Sequence, residues 1–95
     1  MSWLVVLRPA REEMPFDATE EEARIVGEHY EYLKRLHAEG RLVLAGPSAV
    51  SGDTFGPGIF DQDDRADVDA IVAADPAVRS GIMTAEIRPY RISVR

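Results

Sequence analysis

His29 and Asp75 carry side chains that can do proton chemistry at positions that also serve structure. Val26, His29, Tyr30, Leu33, Leu36 and His37 recur at the three- and four-residue spacing of one helical face, so His29 falls where a helix would otherwise be apolar. An imidazole there must find a hydrogen-bond partner. Neutral imidazole takes a proton near pH 7, and a carboxylate on its other nitrogen would fix the tautomer and stabilise the imidazolium that forms. Asp75 is a candidate for that carboxylate. It precedes Pro76, and Asp-Pro at a helix start is also an ordinary N-cap arrangement. A histidine satisfied for stability alone fits the same pattern, and the cap and the orienting role are compatible.

Four further residues are candidates for substrate contact. Arg8, at the end of an opening apolar run, could fork onto a carboxylate or phenolate, although strand-end arginines also serve as plain surface groups. Tyr32 follows the His29 face and either lines a pocket or covers the core. Pro47 and Ser48 belong to Gly46-Pro47-Ser48, a turn whose backbone could supply donors to an anion or simply end a strand. Ser48, His29 and Asp75 contain the types of a hydrolase triad, but no G-x-S-x-G elbow surrounds Ser48.

Metal and cofactor signals are weak. His29 and His37 lie two helical turns apart, about 12 Å along the axis, too far to share an ion. Asp61, Asp63 and Asp64 lack the glycine and closing glutamate of a calcium loop. No G-x-G-x-x-G or Walker-type loop occurs, so no metal and no cofactor is expected.

The elements that must position these residues follow from pattern. Residues 2–8 are a continuous apolar run, as in a central strand covered on both sides. Two prolines and several charges make residues 9–18 a long loop able to flank a pocket. Residues 19–40 hold the helix: Thr19 and Glu22 form a capping box, Glu20 to Glu22 and then Lys34, Arg35 and His37 complement its dipole, and Gly40 stops it. A strand at 41–45 ends at Gly46-Pro47, and 48–58 reads as a hairpin-like connection around an isolated Phe55. Residues 58–61 form a third strand. Asp63 or Asp64 caps a helix over 65–74 with Val68, Ile71 and Val72 buried, and Asp75-Pro76 breaks it and opens a short new turn. Met83, Ala85 and Ile87 alternate with polar neighbours in a last strand, where Pro89 requires an edge. The order is β-α-β-β-α-β in one domain over residues 1–95.

Two helices cover only one face of such a sheet, so the other is expected to bury against a copy of itself in a homodimer. Net charge is −6, with 17 acidic and 11 basic residues, and the arginines are scattered. That disfavours nucleic acid as a partner. The chain has no cysteine, which excludes disulfides and thiolate chemistry and fits a reducing cytoplasm. The first residues read as a strand rather than a signal segment, and no run approaches the roughly 20 apolar residues of a membrane span. A cytoplasmic location is expected, with no membrane as partner.

The ordered set His29-Tyr30-Glu31-Tyr32-Leu33, Gly40-Arg41-Leu42, Ala45-Gly46-Pro47, Ala74-Asp75-Pro76-Ala77-Val78, Gly81 and Glu86-Ile87-Arg88-Pro89 resembles the YciI-like (YCII-related) family across nearly the whole chain. Val5-Val6-Leu7-Arg8-Pro9 is similar to the first strand of many members. The resemblance implies a ferredoxin-like α+β sandwich, pairing into a dimeric α+β barrel, with a histidine and an aspartate as the active-site dyad. These map onto His29 and Asp75. One activity the resemblance implies is that of a dehydrochlorinase acting on a chlorinated hydroxyquinol. The expectation is therefore general acid/base chemistry on a small aromatic or enol-type ligand, by isomerisation or elimination. The alternative is a non-catalytic ligand-binding or regulatory dimer using the same pocket.

Overall fold

In a computed structural model that describes residues 1–48 and 53–95, the chain runs β1 (Ser2–Pro9), α1 (Met14–Asp17), α2 (Glu20–Ala38), β2 (Leu42–Ala45), β3 (Gly56–Asp61), α3 (Arg65–Ala73), α4 (Pro76–Arg79) and β4 (Met83–Tyr90). The sheet order is β2-β3-β1-β4, antiparallel throughout. The apolar first strand is central, as its composition requires, and Pro89 sits in β4, an edge strand paired only with β1. The tip of the expected 48–58 connection falls at 49–52, outside the described residues.

Register assigns the two faces. Trp3 stands opposite Phe60 and Pro89, and Val5 opposite Gly58 and Ile87, so odd-numbered β1 residues share the helix-covered face. There Trp3, Val5, Leu36, Leu42, Phe60, Val68, Ile71 and Val72 form the core. Burying each large side chain contributes about 1.5–3 kcal/mol. Leu4, Val6 and Arg8 point away, level with Ile59, Pro57 and Thr84 respectively. Among the described residues no element covers that outer face, so within a single copy they sandwich β1 on one side only.

The long helix begins as its sequence dictates. Thr19 accepts the Glu22 N–H at 3.1 Å while the Glu22 carboxylate accepts the Thr19 N–H at 2.9 Å, and Gly40 takes φ +79° just past the end. Its buried stripe differs from the expected one. Ile25 and Leu36 are buried, whereas Tyr30 is 61% exposed and His37 is exposed. Ile25, His29, Tyr32 and Leu36 lie at four, seven and eleven residues, so the core-facing line is rotated by about one position. Val26, Tyr30 and His37 fall on its margin and border a cavity instead.

The loop at 9–18 contains a helical turn, α1, with Pro15 at its start. Arg11 ties it down by ion pairs to Asp17 and Glu22, each at 2.6 Å, and Met14 is buried beneath it. A β-bulge between Leu42 and Leu44 leaves Val43 as the extra residue of β2.

Candidate active site

Proline cannot continue a helix from within, and it restrains the residue before it to extended backbone. Asp75 accordingly takes φ −64° and ψ 126° between α3 and α4, and its Oδ1 accepts the Ala77 N–H at 2.9 Å. The same carboxylate reaches α2. His29 Nδ1 lies 2.8 Å from Oδ1 and 2.7 Å from Oδ2, a contact between residues 46 positions apart. Both groups are withdrawn from solvent, with side-chain exposures of 12% for His29 and 5% for Asp75. A buried carboxylate is costly unless paired, and here every acceptor interaction is with an N–H.

An ionised carboxylate only accepts, so the proton between the two groups resides on Nδ1. In the neutral ring the lone pair then lies on Nε2, which makes no hydrogen bond among the described residues. No fully enclosed side-chain nitrogen or oxygen among them lacks a partner, so Nε2 reaches open space. A half-open cavity of about 950 Å³ between α2 and the sheet is bordered by both His29 and Asp75. Val5, Leu7, Leu42 and Phe60 form its sheet wall, and Met14 and Pro15 close it from α1.

Tyr32, one turn beyond His29, also borders the cavity, but its hydroxyl donates to the Ile71 carbonyl at 2.7 Å. Burial, and then the nearby Asp75 charge, hold that hydroxyl's pKa above its ordinary value. Tyr32 thus binds α2 to α3 just behind the dyad. Pro47 lines the rim. Ser48 does not border the cavity: its hydroxyl donates to the Asp53 carbonyl at 3.1 Å and accepts the Phe55 N–H at 2.9 Å, closing the base of the loop. Arg8 is on the outer face, with its guanidinium 5.5 Å from the centroid of the Phe55 ring, and it too stays off the cavity wall. Phe55 and Val43 are wall residues that sequence reasoning did not single out as ligand contacts. An aromatic isolated in a Gly/Ser/Pro/Asp loop was a usable signal for Phe55; a bulge residue carries none. Among the described residues, no three His, Asp or Glu side chains gather in a way that could hold a metal ion, and no helix is long and apolar enough to cross a membrane.

Comparison with known proteins agrees with this architecture. The YCII-related domain matches residues 1–91. Uncharacterized protein YjpA of Bacillus subtilis (strain 168) is 37% identical over 67 residues, covering 70% of this chain and 76% of that protein. Among solved structures, 5-chloro-2-hydroxyhydroquinone dehydrochlorinase (TftG) from Burkholderia phenoliruptrix AC1100, in complex with 2,5-dihydroxybenzoquinone, superposes with a TM-score of 0.75. It covers 96% of this chain and 94% of its own at 17% identity, a likeness of fold.

Proposed function

The chain belongs to the YCII-related domain family, and on that footing we propose that it is a small-molecule enzyme in which His29 is the general acid/base and Asp75 orients it, using no cofactor. The observation that carries this reading is the two-oxygen contact of Asp75 with His29 Nδ1 beside an apolar cavity. Nε2 takes the proton from a phenol or enol hydroxyl, and the released electron pair re-forms the carbonyl. Elimination follows when the enol double bond shifts and expels, as an anion, a leaving group on the saturated carbon next to it; isomerisation follows when the imidazolium returns its proton to a different carbon. Asp75 stabilises the imidazolium in between, and apolar walls strengthen that interaction by excluding water. The dehydrochlorinase activity of the fold neighbour is chemistry of this kind.

A panel of hydroxylated aromatics, halogenated hydroquinones and small lactones, read by absorbance change, tests the reading. With a turned-over compound, His29→Gln is expected to fold and bind normally while losing about 100-fold or more in rate. Equal rates would overturn the catalytic role. Binding without turnover by the unmodified protein, at equal affinity in the variant, would mark a ligand-binding domain instead.

The assembly proposed is a homodimer through the outer sheet face. Leu4, Val6, Pro57 and Ile59 point that way, and Leu44 is 56% exposed. Covering such a face with its own copy is the economical way to remove it from water. Light scattering at micromolar concentration should give twice the chain mass of 10.5 kDa; a stable monomer would contradict the assignment.

A further inference from the structure

Cavity size says more about the substrate than the dyad does. An enclosed apolar cavity of about 150 Å³ accommodates benzene, whereas the half-open cleft that His29 borders measures about 950 Å³. The difference is about sixfold. It also lies at the upper end of the range, about 300–1,000 Å³, in which whole drug-sized ligands are buried. Along α2 the wall runs from Val26 past His29 and Leu33 to His37, about 16 Å of helix axis at the usual rise.

The chemistry of the lining is equally uneven. Asp75 is engaged with His29 and Ala77, and the Tyr32 hydroxyl with Ile71, so those polar groups are spent within the protein. Lys34 and His37 border the space but are solvent-exposed, which puts them at its mouth. Val5, Leu7, Leu42 and Phe60 offer a bound molecule no hydrogen bond. A single hydroxylated ring set against His29 would leave most of this apolar surface in contact with water, at a hydrophobic cost.

Taking the His29 cavity as the substrate site, we infer that the substrates are phenols or enols bearing an apolar extension of several carbons, which fills the space between α2 and the sheet while the hydroxyl meets Nε2. The apolar walls select the extension, and the dyad selects the head.

Calorimetric binding of phenol, para-ethylphenol, para-butylphenol and para-hexylphenol tests this. Affinity is expected to rise about fourfold per added methylene, the gain for burying that group. Ala45→Phe, at an exposed position on the β2 wall, should fold with an unchanged melting temperature and still bind phenol, but lose the gain for the longest chains. His29→Gln should keep the rise with chain length, because that rise comes from the walls. A protein that binds long chains but turns none over therefore refutes catalysis and leaves this inference standing. Affinity independent of chain length, or an Ala45→Phe variant that binds hexylphenol as tightly as the unmodified protein, would overturn it.

Discussion

Helices α3 and α4 each start after an aspartate in extended backbone, and the two aspartates have different fates. Asp64 is exposed and makes no side-chain cap bond; the first turn of α3 is closed by Asp67 N–H donating to the Asp64 carbonyl at 3.1 Å. Asp75 caps α4 through its carboxylate, is 3% exposed, and spends both oxygens on His29. Capping alone needs no burial: Thr19 caps α2 through its side chain and is exposed. Desolvating a carboxylate works against folding unless hydrogen bonds and an opposite partner offset it. The contrast locates the additional demand on Asp75 in the imidazole, not in the helix it begins.

The largest expected effect separates the two aspartates. Asp75→Asn should lower turnover by about 100-fold or more, because an amide can donate to Nδ1 and support the wrong tautomer. Its stability cost should stay within about 1 kcal/mol, since asparagine still caps. Asp64→Asn should leave activity unchanged and stability within about 0.5 kcal/mol. Steady-state rates, read with melting temperatures, decide it; similar losses in both variants would erase the distinction drawn here.

A smaller effect concerns the third helix start, where the cap is solvated. Hydrogen bonds from Arg11, and then from the Thr19 backbone, lower the Glu22 carboxyl from 4.5 to about 2. Its folded pKa lies below the unfolded one, so the stability it contributes is present above pH 4.5 and is lost as pH falls through about 2. Melting temperatures of the unmodified protein and Glu22→Gln should therefore differ at pH 5 to 6 and converge toward pH 2. A constant gap across that range would show that the ionised carboxylate is not what holds this cap.

Much of the fold was legible because local rules govern it. The Thr19 and Glu22 box, the Gly40 stop, the Asp75-Pro76 break and the Val68, Ile71, Val72 stripe each depend on neighbours a few residues away. The residue types of the dyad were visible too, and family resemblance paired them. Their contact was not readable from spacing, since it depends on α4 packing against α2 across 46 positions. Tyr30 and His37 looked like core residues because three- and four-residue periodicity tolerates a rotation of one position, and only packing against the sheet selects the angle. Arg8 had a clearer clue: period-two alternation in β1 groups it with Leu4 and Val6, away from Val5 and Leu7. Walls made by Met14, Val43 and Phe55 come from a loop turn, a bulge and a connection, none of which has a periodicity to read.

The central claim is that Asp75 holds the proton on Nδ1 of His29 and leaves Nε2 as the base. Nitrogen-15 NMR of the His29 ring, at a pH where the imidazole is neutral, addresses it directly. The expected spectrum has a protonated Nδ1 and an Nε2 with the shift of a lone-pair nitrogen. A proton on Nε2 in the neutral ring would contradict the account.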